Sequence, residues 1–491
     1  MRSSGILLPV SSLPTRYGIG GFSREAYEFV DQLERAGQRN WQILPLGPTG
    51  YGDSPYQSFS TFAGNPYYIS LDLLREEGLL TDEECREADC GEEPGTVNYG
   101  KIYQTRFQVL RKAFGRFRET EEYQRFAEEN GYWLEDYCLY MAIKRQQQEK
   151  CWNEWPEDLK NRRPEALEAK RGELNEKISF YRFQQYEFSR QWRKLKGYAN
   201  GKGIRIIGDI PIYVALDSAD AWAGPGLFQF DRENLPVAVA GCPPDAFSAK
   251  GQLWGNPLYR WDYHRETGFE WWVRRMRYCF QLYDVVRVDH FRGFDAYYSI
   301  PYGDQTAENG HWEQGPGMEL FRVLKEKLGP VSIIAEDLGF LTESVLQLVR
   351  ETGYPGMKVL EFAFDSREES DYLPHNYSHN CVVYTGTHDN NTIAGWYEEM
   401  SPGDREFSRE YMNNRKSSPE EIPWDFIRLA LASVADLAVI PLQDYLGLGK
   451  EARFNYPSTL GNNWRWRLLP GELTEELLQK IRHVTELYGR A

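Results

Sequence analysis

The chain has 491 residues, 41% hydrophobic and 26% charged, the balance of a soluble globular protein with ample core. Its 57 basic and 73 acidic residues leave a formal charge of −16, which disfavours nucleic-acid and anionic-membrane partners and suits a neutral substrate. No stretch approaches the roughly 20 apolar residues that span a bilayer, and the opening apolar run, broken by Pro9, is too short for a signal peptide.

Eight short runs rich in Val, Ile and Leu predict strands over residues 5–10, 41–46, 204–210, 284–289, 331–336, 357–364, 381–387 and 437–441. They are mostly continuous rather than alternating, as parallel strands covered on both faces should be. Amphipathic stretches separate several of them. One, residues 23–36, opens on Ser23 and is followed by Gly37; residues 269–283, 318–328 and 342–352 are similar. Strands alternating with helices predict an α/β fold, a closed (β/α)8 TIM barrel forming one catalytic domain over residues 1–491. Two gaps are too long for simple crossovers. Residues 71–198, charged and aromatic with helix-like stretches at 132–148 and 180–196, read as a helical insertion between the second and third strands. Residues 211–260, rich in Gly and Pro, read as an active-site loop subdomain after the third. A last helix is expected over 472–489, with no C-terminal β-sandwich. Seven scattered cysteines, odd in number and lacking a CxxC, suggest reduced thiols in a cytoplasmic protein and neither disulfides nor a zinc site.

Three carboxylates stand near the C-terminal ends of three of these runs: Asp289 in VVRVDHFRG, Glu336 in VSIIAEDLG and Asp389 in VVYTGTHDN. Barrel enzymes keep their active sites on that face. A cluster of acids there suggests glycoside chemistry, in which one carboxylate attacks the anomeric carbon and a second carboxyl moves the proton. Asp289 is the better nucleophile, because Arg287 lies two residues earlier and points to the same side of a strand. Glu336 follows Ile333, Ile334 and Ala335, so partial burial would keep it protonated as the acid/base. Asp389 is then left to grip the distorted sugar, with His388 and His290 beside sugar hydroxyls. Asp209, in IIGDIPIYV, would support Arg287 or the nucleophile.

GYGDSPYQSFSTFAGNPY, GDIPIYV, PPDAFSAKGQLWGNPLY, VRVDHFRGF, IAEDLG and GTHDNNT occur in order along nearly the whole chain. Together they resemble the 4-α-glucanotransferases of the amylomaltase, or disproportionating-enzyme, type. The resemblance implies an α-amylase-like barrel and transfer of α-1,4-glucan segments by retaining double displacement. Asp289 would be the nucleophile, Glu336 the acid/base and Asp389 the transition-state stabiliser. It further implies Arg287 and His388 in the donor subsite and Asp53, Ser54 and Tyr56 along the groove. Asp245, Phe247, Gln252, Trp254, Asn256 and Pro257 would lie in a mobile loop on the acceptor side. Tyr51 matches a second glucan-binding site; Asn463 lies in the family-like stretch NNWRW. Amylase-like barrels often carry Asn and His after the third strand's Asp and use that region for calcium; here the segment is DIPIYVALDS, so no metal is expected, and no cofactor. The partners implied are α-1,4-glucans and maltooligosaccharides, with monomer or homodimer open. One departure stands out: the family usually reads HDND, where this chain has Asn391 in the last position, which bears on substrate preference. An α-glucan hydrolase on the same barrel and an inactive glucan-binding protein are the alternatives.

Overall fold

The computed structural model describes residues 2–50, 52–90, 93–244, 248–339 and 341–491. Tyr51, Asp245 and Phe247 lie outside them. Among the described residues the strands, in chain order, are β1 (Ser3–Leu7), β2 (Asn40–Gln42), β3 (Arg205–Pro211), β4 (Ala238–Cys242), β5 (Gln252–Pro257) and β6 (Val285–Asp289). There follow β7 (Ala296–Pro301), β8 (His311–Gln314), β9 (Ile333–Ala335), β10 (Gly356–Val359), β11 (Cys381–Tyr384) and β12 (Leu437–Pro441). Eight of them close a parallel barrel in the order β1-β12-β11-β10-β9-β6-β3-β2. The closure is the pairing of β1 with β12, Ser3 opposite Leu437 through Leu7 opposite Pro441. All eight predicted runs supply these strands.

The strands are buried on both faces. Inside the barrel, Leu7, Ile207, Val285, Ile334, Met357, Val382 and Val439 form one apolar cluster. The outward residues Ile206, Val286, Val288, Ala335 and Val383 join the larger core beneath the surrounding helices. Gly208, on the outward side of β3, is needed for fit: a Cβ there would lie 2.2 Å from the ring of Tyr283. The two-residue period then carries the inward row upward. In β6 it runs from Val285 to Arg287 to Asp289, and in β3 from Ile207 to Asp209.

Several strands are shorter than their apolar runs. The β2 ladder spans Asn40–Gln42, yet Leu44 and Leu46 beyond it are buried. β10 stops at Val359 and the chain turns into a 3-10 helix, Leu360–Phe362. Hydrophobicity outruns hydrogen bonding here because loops cover the top of the barrel as well. The 211–260 stretch is not loop throughout: β4 and β5 within it pair with β7 and β8 in a four-stranded antiparallel sheet, ordered β5-β4-β7-β8. Between β2 and β3 the chain is largely helical, dominated by the helices Glu121–Gln146 and Asn175–Gly201. Thr120 caps the first, its side chain accepting from the backbone N–H of Tyr123. Many of the tryptophans serve the core, and several buried indoles find a backbone carbonyl: Trp41 donates to Leu8, Trp192 to Leu282 and Trp222 to Leu159. No helix among the described residues is long and apolar enough to cross a membrane.

Candidate active site

The C-terminal ends of β3, β6, β9 and β11 deliver a charged cluster to one mouth of the barrel. Arg287 is its centre. Its Nη1 donates to both oxygens of Asp209, at 2.8 and 2.7 Å, and lies 3.0 Å from Oδ1 of Asp289. Its Nε faces Sδ of Met357 at 3.3 Å. Arg287 and Asp209 are fully enclosed, whereas the Asp289 side chain keeps 30% of its surface open. A buried guanidinium between two carboxylates is held in one geometry by the ladder on either side, since Asp209 and Arg287 are register partners in β3 and β6.

Glu336 follows β9 directly. The backbone then turns so that two amides face its carboxyl: His290 N–H donates to Oε2 at 2.6 Å and Leu338 N–H to Oε1 at 3.0 Å. His290 reaches this position with φ 55°, a left-handed conformation costing a non-glycine residue roughly 1–2 kcal/mol. The bond from Phe291 N–H to the Glu336 carbonyl, 3.1 Å, locks the two segments together. Burial, reinforced by the charge of Asp289, pushes the Glu336 carboxyl up to about 7. Burial also raises Asp289, opposed by Arg287. Only Asp289 has a guanidinium in contact, so the first negative charge settles there and the proton stays on Glu336. Both side chains are only partly buried, and solvent offsets part of the burial penalty.

Asp389 lies in the turn after β11. His388 Nε2 is 3.3 Å from its Oδ2, and the Asn455 amide donates to Oδ1 at 2.6 Å. Burial works against its charge, but His388, Asn455 and Arg287 together hold the carboxyl below the usual range. The same contact raises His388 against its own burial. Tyr56 stacks on His388 with ring centroids 5.1 Å apart and donates from its hydroxyl to Asp209 Oδ2 at 2.9 Å. Trp464 approaches both rings, at 5.8 Å from Tyr56 and 5.9 Å from His388.

Trp254, on β5, meets the His290 ring edge-on at 4.7 Å, and its indole N–H donates to Gln252 at 3.0 Å. Burial pushes the His290 imidazole down to about 3, so it is neutral, and its buried Nε2 has no hydrogen-bond partner among the described residues. Other candidate residues are committed to the backbone. Asn256 donates to the Val214 carbonyl at 2.8 Å and accepts from Gln57 at 3.3 Å. Pro257 is a register partner of Val239. Asn463 accepts from Tyr456 N–H at 3.0 Å and donates to Thr459. Ser54 accepts from Tyr56 N–H at 3.3 Å. Asp53 lines a neighbouring cavity with Tyr99 and Trp464. Asn455 and Arg453 were missed by the sequence reading. Arg453 Nη2 donates to the Asp389 carbonyl at 2.6 Å, and both residues lie more than sixty positions from their partner, with no local signal.

A family model described as 4-alpha-glucanotransferase matches residues 8–473. A 4-alpha-glucanotransferase of Clostridium butyricum is 52% identical over 98% of this chain and 99% of its own. One from Thermus thermophilus is 48% identical over 100% of this chain and 99% of its own. Among solved structures, an amylomaltase from Streptococcus agalactiae in complex with acarbose superposes with a TM-score of 0.97 at 43% identity, covering both chains fully. With a match across nearly its whole length and relatives near half identity, the chain belongs to the 4-α-glucanotransferase family.

Proposed function

We propose that this protein moves α-1,4-glucan segments from a donor to the 4-hydroxyl of an acceptor glucan or glucose by retaining double displacement. An Asp289 oxygen attacks the anomeric carbon as the glycosidic C–O bond breaks. Glu336 gives its proton to the departing oxygen, leaving a covalent glucosyl–Asp289 and a Glu336 carboxylate. The acceptor hydroxyl then loses its proton to Glu336 and attacks the same carbon, releasing Asp289. Asp389, held ionised by His388 and Asn455, faces the positive charge that develops on the sugar. Arg287 and His388 serve the donor subsite, and Tyr56, Asp53 and Ser54 the groove. Gln252 and Trp254 serve the acceptor side with Asp245 and Phe247, and Tyr51 serves a second glucan contact. The observation that carries this reading is the asymmetry of the two acids. Asp289 is paired with Arg287, while Glu336 has only backbone donors among the described residues and is poised at about 7.

Maltotriose as sole substrate tests it. Glucose, reducing ends and the oligosaccharide distribution are followed together. A ladder of longer products with glucose and constant reducing ends is expected. Rising reducing ends with shortening to maltose and glucose would make the protein a hydrolase. No change in folded protein would leave a binding role.

A further inference from the structure

The turn that carries His388 and Asp389 rests on a carboxyl with no assigned role. Glu361 sits in the 3-10 helix after β10, and its backbone N–H donates to the Thr385 carbonyl at 3.2 Å. Its Oε1 is buried without a hydrogen-bond partner among the described residues. That oxygen packs so tightly under the turn that a Cβ on Gly386 would lie 2.6 Å from it. The backbone amide of Asn391 and the side chain of Asn390 lie against the same carboxyl. Asn390 in turn accepts from the Thr387 N–H and hydroxyl, at 3.0 and 2.7 Å. Thr387 Oγ1 accepts from Asp389 N–H at 3.2 Å. The charged groups facing Glu361 are Asp444, on the helix Leu442–Leu446, and Arg453. Asp444 is itself tied to the two ends of the turn, accepting from the Thr385 hydroxyl at 2.5 Å and from Ile393 N–H at 2.8 Å.

We propose that Glu361 is a positioning residue for the transfer reaction: its carboxyl, wedged beneath residues 386–391, sets where Asp389 and His388 stand relative to the nucleophile. This rests on the function proposed above. Burial, reinforced by Asp444 and opposed by Arg453, raises the Glu361 carboxyl, and its tight fit beneath Gly386 makes its shape, rather than a charge, the positioning element. A turn displaced by about 1 Å costs roughly 10²-fold in rate when a catalytic group rides on it.

The test measures kcat and KM for maltotriose disproportionation in Glu361→Gln and Glu361→Ala, with thermal unfolding as a check on folding. The neutral isostere Gln is expected to keep kcat within about threefold, whereas Ala lowers it roughly 10²-fold with KM little changed. Should the Ala variant not fold, Gly386→Ala drives a methyl into the same oxygen and is expected to lower kcat in the same way. A wild-type protein without disproportionation would overturn this proposal and the function together. An active wild type with Glu361→Ala, or Gly386→Ala in its place, within about twofold of it would overturn the positioning role alone. So would a Gln variant as damaged as the Ala variant.

Discussion

Asp289 and Glu336 share one mouth of the barrel but differ in what touches them, and that difference fixes their expected behaviour. Asp289→Asn removes the proposed attacking oxygen while keeping the contact with Arg287. It should lower maltotriose turnover by at least about three orders of magnitude with an unchanged unfolding midpoint. Turnover near the wild-type level would remove Asp289 from the nucleophile role. In the proposed mechanism Glu336 must carry its proton to release the leaving group. With its carboxyl near 7, kcat/KM should fall about tenfold per pH unit on the alkaline side of roughly pH 7. A flat profile to about pH 9 would contradict the assignment. The same shift acts on stability. The folded chain holds a proton on Glu336 that the unfolded chain has released, so stability falls as pH rises from about 4.5 to about 7. Glu336→Gln removes that loss. At about pH 8 it should gain up to about 3 kcal/mol in urea unfolding, less to the extent that groove water screens the charge, and at pH 4 almost nothing. An equal gain at both pH values would show that packing, not ionisation, is responsible.

At the level of elements, the helix Glu121–Gln146 is fastened to the chain after β3 by a buried ion pair. Lys144 Nζ lies 2.5 Å from Asp217 Oδ2 and also donates to the carbonyls of Glu149 and Lys150. The Tyr140 hydroxyl donates to the other Asp217 oxygen. Lys144 is 2% exposed, so Asp217→Ala would strand a buried ammonium. The expected cost is about 2–4 kcal/mol, below the full penalty because Asp217 is 32% exposed. Chemical denaturation measures it, and a cost under about 0.5 kcal/mol would mean the pair adds nothing. No sequence pattern announces this contact. The barrel strands were legible because strands buried on both faces are predominantly apolar, and the positions of Asp289 and Glu336 followed from where those runs stop. The antiparallel sheet was not: β8 (HWEQ) has neither a two-residue alternation nor an apolar run, and β4 (AVAGC) sits inside a Gly- and Pro-rich stretch that read as loop. Asn455 and Arg453 were hidden for a different reason: they reach Asp389 only once β12 closes the barrel beside β11.

Closure of the whole molecule depends on pairing the first and last barrel strands, and the ends of that seam are held by arginines. Arg490 is fully buried. Its guanidinium donates to the carbonyls of Leu431, Ser433 and Ala435, which lead into β12, and to that of Ser3 at the start of β1. Arg2 donates to two of the same carbonyls, Leu431 and Ser433. These contacts lie at the N-terminal ends of the strands, the opposite end of the barrel from Asp289 and Glu336. Arg490→Ala therefore leaves the Ser3 and Ala435 carbonyls without this donor and opens a void, while Arg2 still serves the other two. A cost of about 3–5 kcal/mol is expected, read as a lowered unfolding midpoint. Because the end that carries the proposed site is untouched, kcat at 25 °C should stay within about twofold of wild type. A variant that loses kcat while keeping its unfolding midpoint would show that the seam is coupled to the site, and that barrel closure does more than hold the fold.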